Sequence, residues 1–162
     1  MAVSDRIAVM NRGSIVQQGT AEDLYRRPAS EFVAQFIGRV NLVQGRVAGV
    51  SGATLEIEAL GQRLRAQAPP ETPLEPGAAV RLVLRPETIE LAPDGEAQAA
   101  DAAGAAATIL SRSYLGEKIE YLVACGGETL QVARYGAGAD ESIAEGGRVR
   151  LRLPRQDVSL LP

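Results

Sequence analysis

The chain has no histidine, no tryptophan and a single cysteine among its 162 residues. Without histidine, and with Cys125 alone, nothing supports a zinc-type site or a Ser-His or Cys-His nucleophile. Cys125 has no partner for an internal disulfide, as suits a chain from a reducing compartment. Apolar runs are short. None approaches the ~18 residues a membrane helix needs, and no basic segment followed by an apolar core marks a secretory leader near Met1. Aromatics are scarce, with four Tyr and two Phe, and the net charge is −3. Single-stranded nucleic acid needs clustered cations and stacking faces, so no nucleic-acid partner is expected.

What the chain does contain is unevenly placed. Residues 92–147 carry nine acids against three bases, whereas 148–162 carry Arg148, Arg150, Arg152 and Arg155 against Asp157 alone. Near the start, Arg6–Met10 and Ser14–Gln18 flank Asn11-Arg12-Gly13, which reads as a β-hairpin. Thr20, followed by Glu22 and Asp23, predicts a capped helix that Pro28 ends. Ser30 predicts the cap of a second, with Phe32, Val33, Phe36 and Ile37 as its apolar face and Gly38 at its end. From Asn41 onward the period changes to two, as in Leu55/Ile57, Val80/Leu82/Leu84, Ile119/Tyr121/Val123, Leu130/Val132 and Val149/Leu151/Leu153. Glycine and proline clusters separate these runs. Many short strands at this spacing predict a small sandwich or barrel.

An internal repeat constrains that barrel further. Gly77–Pro93 aligns without gaps on Gly146–Pro162, with seven of 17 positions identical, Arg81/Arg150, Leu82/Leu151 and Leu91/Leu160 among them. Two copies are too few for a solenoid. They fit two halves, about 41–93 and 106–162, completing one barrel or two intimately packed ones. Each copy reads as a loop, a half-buried strand and a short return strand. The Ala-rich stretch 92–107 lacks large apolar residues to bury and is expected to be a loop between the halves.

Ser4-Asp5-Arg6-Ile7-Ala8-Val9-Met10, Gly13, Gly19, Leu24-Tyr25 before Pro28, Phe32-Val33-Ala34, Phe36-Ile37-Gly38 and Asn41 together resemble the end of the nucleotide-binding domain of bacterial ABC importers. Leu84-Arg85-Pro86-Glu87, Tyr114-Leu115-Gly116 and the Gly147-x-Val149 strand resemble the TOBE domain that follows it in importers of polyamines, ferric iron and related solutes. The resemblance implies a mainly β chain: an OB-like TOBE barrel over 41–162, preceded by a nucleotide-binding-domain remnant over 1–40. It implies an accessory, regulatory and dimerising role, with the ATPase dimer, the membrane permease and a second copy of the chain (a homodimer or swapped assembly) as partners. The location implied is cytoplasmic, at the inner membrane through the transporter. No phosphate loop, acidic Walker B strand or signature sequence occurs. ATP and magnesium would belong to the parent protein, its switch histidine would lie upstream of Met1, and this chain should neither hydrolyse ATP nor hold a cofactor. The alternative is a free-standing TOBE barrel that binds an oxyanion or another small solute.

Four residues stand out as weak ligand candidates, each beside a plainer reading. Arg85 and Glu87 offer a charged pair to a ligand or the permease, but Pro86 should end the strand and leave both charges in solvent. Arg150 lies on one strand face with Arg148 and Arg152; that stripe suits an anion, pairing with acids such as Glu117 or Glu120, or protection of a strand edge, and alternation with Val149, Leu151 and Leu153 gives the plainer reading of a solvated face. Tyr114 could gate a pocket, but Tyr114 packed at a barrel end beside a bend at Gly116 is the expected arrangement. Asp94, Glu96 and Asp101 do not match a calcium loop. No catalytic set emerges.

Overall fold

The computed structural model describes residues 4–68, 73–94, 104–136, 143–155 and 158–161. Strands β1 (Ile7–Asn11) and β2 (Ser14–Gly19) form the expected antiparallel hairpin. Its turn places Arg12 at φ 49° and Gly13 at φ 84°. Two successive positive φ values give the turn whose twist matches the flanking strands. Thr20 caps α1 (Ala21–Arg26) in a full capping box with Asp23, and the Ser30 side chain caps α2 (Glu31–Ile37). Val9, Leu24 and Val33 form a small core with Ile7 and Ile37 against it. The expected apolar face of α2 is corrected here. The helix buries Val33 and Ala34, whereas Phe32 and Phe36 stack on each other outside, ring centroids 5.8 Å apart.

Among the described residues ten strands follow, in two five-stranded antiparallel sheets. The first half supplies β3 (Asn41–Ser51), β4 (Thr54–Ala59), β5 (Gln62–Gln67), β6 (Ala79–Leu84) and β7 (Glu90–Pro93). The second supplies β8 (Ala105–Tyr114), β9 (Lys118–Cys125), β10 (Glu128–Tyr135), β11 (Arg148–Arg152) and β12 (Ser159–Leu161). Ala92 and Pro93 therefore finish one strand, and Ala105–Ala107 begin the next. That shortens the loop expected over 92–107, most of which lies outside the described residues.

The halves exchange their return strands. One sheet runs β12-β6-β3-β4-β5 and the other β10-β9-β8-β11-β7, so β7 and β12 each complete the sheet of the opposite half. Register repeats with topology: Leu82 faces Leu160 in the first sheet as Leu151 faces Leu91 in the second. Gly77 N–H donates to Val47 O (2.7 Å) and Val47 N–H to Ala78 O (2.9 Å). The second half repeats both bonds as Gly146 to Ile109 (2.9 Å) and Ile109 to Gly147 (3.0 Å). Strand irregularities also recur at matching places, within Val47/Gly49 of β3 and Ile109/Ser111 of β8. The inward residues Leu55, Ile57, Leu82, Leu84, Ile109, Tyr121, Val123, Leu130 and Leu151 share one continuous core. Burying one face of each strand sets the period-two pattern seen in the sequence.

Candidate functional site

Arg85 lies where the chain leaves β6 and enters a single 3-10 turn, Pro86–Thr88, on its way to the other sheet. The expectation that its charge meets solvent is wrong: Arg85 is only 5% exposed. Its Nη1 donates to the carbonyls of Ala34 (3.0 Å), Gly38 (3.2 Å) and Arg39 (3.2 Å), and Nη2 to that of Tyr25 (3.0 Å). These acceptors lie in or just beyond the last turns of α1 and α2, where carbonyls lack helical partners and the dipole favours a cation. The guanidinium also lies 4.1 Å from the centre of the Tyr25 ring. A planar fork suits this many acceptors where a lysine ammonium does not. Burial lowers its pKa from the usual arginine value, and it stays charged. The repeat does not predict this, because Pro154 takes the equivalent place in the second half.

Further contacts surround that guanidinium. Glu87 is exposed and accepts from the Tyr25 hydroxyl. Arg39 pairs with Glu120 at 2.5 Å, and Lys118 holds the same carboxylate at 2.8 Å. Lys118 hydrogen-bonding keeps the Glu120 carboxyl below the usual range, Arg39 adding to it, while Glu120 raises Lys118. Between α1, α2 and the outer face of β9 and β10 runs a groove of about 410 Å³, whose lining includes Tyr25, Arg39, Glu87, Ser113, Glu120 and Tyr135. Beneath it, Asn41 ties β3 to β10: Gln131 N–H donates to Oδ1 at 2.7 Å, and Nδ2 donates to Gln131 O at 2.8 Å.

The other candidates are dispersed. Tyr114, expected to pack, is 63% exposed near the β8–β9 turn, where Gly116 takes φ 81°. The second-half hairpin is four residues longer than its counterpart, since Val47 faces Ile57 but Ile109 faces Val123. The extra length puts Tyr114, the last residue of β8, and its neighbour Leu115 at the exposed end of that hairpin. Arg150 pairs with Asp94 at 3.0 Å, not with Glu117 or Glu120, because β11 lies beside β7 and not beside β9. A groove of about 330 Å³ adjoins that pair and Arg148. Burial, with Glu128 nearby, raises the Cys125 thiol, which leaves it a weak nucleophile. Among the described residues no three His, Cys, Asp or Glu side chains converge on a possible metal position. Nor is any helix among them long and apolar enough to cross a membrane. Arg85 and Glu87 thus belong to one junction, while Tyr114 and Arg150 do not. Sequence reasoning missed Arg39 and Lys118 and named Glu120 only as a partner for the Arg148–Arg152 stripe; Arg39 lies 81 residues from Glu120, and no motif joins them.

A paired barrel with exchanged return strands, joined to a capped helix pair, defines a TOBE-type architecture, and residues 82–161 match the TOBE domain family. The chain belongs with the C-terminal, TOBE-bearing region of ABC importer ATP-binding subunits. It is 36% identical over 156 residues to the spermidine/putrescine import ATP-binding protein PotA of Acidothermus cellulolyticus, covering 93% of this chain and 39% of that protein. To the Fe(3+) ions import ATP-binding protein FbpC 1 of Rhizobium meliloti it is 39% identical over 135 residues, covering 82% and 35%. It therefore spans between a third and two-fifths of these relatives' length. Among solved structures, the cytoplasmic molybdate-binding protein ModG, with molybdate bound, superposes with a TM-score of 0.59 at 20% identity. That match covers 75% of this chain and 96% of ModG, and shows a shared fold.

Proposed function

We propose that this chain serves as the accessory, regulatory and dimerising region of an ABC importer ATP-binding subunit. In such a subunit it would accompany an ATPase domain that drives uptake of a small solute such as a polyamine or ferric iron. The observation that carries this reading is the reach of the PotA alignment. At 93% of the chain it must take in most of the hairpin and helix pair as well as the barrel. The chain itself lacks a phosphate loop and would not hydrolyse ATP. Its place would be the cytoplasmic side of the inner membrane, held there through the permease. Met10 faces Ile15 across the hairpin and both are exposed, as is Val16, so the hairpin offers an apolar face to a second copy.

Replacing the matching region of the Acidothermus subunit with this chain tests the reading. ATP-driven uptake should persist in the chimera, and a folded, assembled chimera without uptake would overturn the proposal. Light scattering tests self-association: a chain that stays monomeric at millimolar concentration removes the dimerising role.

A free-standing solute-binding barrel is the second reading, favoured by the likeness of fold to ModG. Calorimetry with molybdate, sulfate, polyamines and iron chelates separates the two. Saturable micromolar binding of one of them would place the second reading first.

A further inference from the structure

The helix pair does not rest on one half of the barrel. Arg85, at the point where the chain crosses from one sheet to the other, holds the carbonyls at the ends of both helices. From the first sheet, Arg81 of β6 pairs with Glu31 of α2 at 2.7 Å, and the Ser159 hydroxyl of β12 donates to Arg26 O at the end of α1. From the second sheet, Glu120 of β9 pairs with Arg39. All three outer contacts involve exposed or half-exposed groups and water competes with them, so each holds weakly. Of the side chains that hold the helices Arg85 alone is buried, and among the described residues its Nε has no partner.

We propose that Arg85 is a coupling latch, a positioning residue that makes the helix pair turn with the β6–β7 crossover shared by both sheets. The outer pairs steady the helices, but the guanidinium sets their orientation. With the latch closed, a change in either sheet reaches α1 and α2. With it removed, the two sheets keep their shared core while the helices lose their fixed angle. This goes beyond the importer reading and concerns this chain alone, so its failure would leave that reading standing.

The test compares the full chain with Arg85→Met, which fits the buried site without charge, and Arg85→Lys, whose ammonium cannot span both helix ends. Arg81→Ala, which removes one exposed pair, is the control. In hydrogen exchange, amides of residues 20–40 should exchange about tenfold faster or more in Arg85→Met, and by a smaller factor in Arg85→Lys, with β3–β6 and β8–β11 unchanged. Spin labels introduced as Glu22→Cys and Glu117→Cys should give a broadened distance distribution in both variants and a narrow one in the control. A residue that merely stabilised the fold would accelerate exchange of helices and strands together and leave the distance distribution narrow. Either of those results overturns the proposal, as does exchange of residues 20–40 unchanged from the parent chain. If Arg85→Met fails to fold, the same outcomes in Arg85→Lys decide the matter.

Discussion

Asn41→Ala tests whether the two sheets are held by packing alone. Asn41 is 6% exposed at the start of β3, and its amide reaches a strand of the other sheet. Two short bonds join it to the backbone of Gln131, and a longer one (3.3 Å) runs from Nδ2 to Leu84 O. A net hydrogen bond contributes about 1 kcal/mol, and a buried group left without a partner costs about 1–3 kcal/mol. Leu84 O also lies in the β3–β6 ladder, so losing its bond to Asn41 matters least. The Gln131 groups face an edge of their sheet and are only partly buried, which lowers the penalty. Together these place the loss at about 2–3 kcal/mol, or about 5–10 °C in Tm for a chain of this size. Guanidinium denaturation should show a lower midpoint and an unchanged slope.

Asn41→Asp sharpens the test. The carboxylate still accepts from the Gln131 N–H, but it places negative charge against two carbonyl oxygens. Its folded pKa should then lie above the ordinary aspartate value of about 3.9. For a group raised in the folded state, the penalty is present at neutral pH and is relieved as pH falls through the folded pKa. The deficit of this variant should therefore shrink between pH 7 and about pH 5, while that of Asn41→Ala stays constant. An alanine variant within about 0.5 kcal/mol of the parent, or an aspartate variant indifferent to pH, would refute the bridging role.

Three further outcomes can be measured alongside. Gly45→Val should cost about 1–3 kcal/mol by overpacking, because a Cβ there would meet Leu82 Cδ1 at 2.8 Å and Ile57 Cγ2 at 2.9 Å, both fully buried side chains; chemical denaturation reads it. Thr20→Ala should remove the side-chain half of the capping box and cost about 1 kcal/mol, seen as faster amide exchange confined to α1. The Arg39–Glu120–Lys118 contact should hold through neutral pH. Glu120 is depressed, so its contribution is present above the ordinary glutamate value and lost as pH falls through the folded one. Lys118 is raised, so its contribution is present below the ordinary lysine value and lost as pH rises through the folded one. Chemical shifts of the Glu120 carboxyl should be flat between about pH 5 and 10, and a titration inside that window would count against the contact.

Local chemistry made some of this legible in advance. Thr20, Ser30 and Asn11-Arg12-Gly13 act through neighbours three or four residues away, so caps and turn could be read directly. Period-two burial did the same for the strands, and the Gly77–Pro93 repeat announced two halves. Partner choice was not legible. The alternation of Val149, Leu151 and Leu153 shows that β11 has a buried face but not that β7 lies beside it, and so not that Asp94 would meet Arg150. Phe32 and Phe36 mislead because an apolar i, i+4 pair exists on two adjacent faces of α2, and only tertiary contact selects Val33 and Ile37. Arg85 misleads for a related reason. Proline does end the strand, but a strand end meets solvent only where nothing packs over it, and the helix pair occupies that place.

The exchanged return strands bear on how the halves depend on each other. Each sheet takes one of its two edge strands from the other half, so neither half can complete its sheet alone, and opening one exposes core residues of both. The two halves should therefore unfold in one cooperative step despite their internal repeat. Against that near-symmetric frame, the differences are concentrated. Arg85 is matched by Pro154, the β8–β9 hairpin is four residues longer than β3–β4, and the helix pair covers one crossover. A repeat maintained only for stability has no need of these departures. The helix pair borders the groove at Tyr25, Gly38 and Arg39, next to Pro86 and Glu87 of the turn that follows Arg85, and the lengthened hairpin lines it at Ser113 and Lys118. It is at this end of the molecule that the two halves have taken different roles.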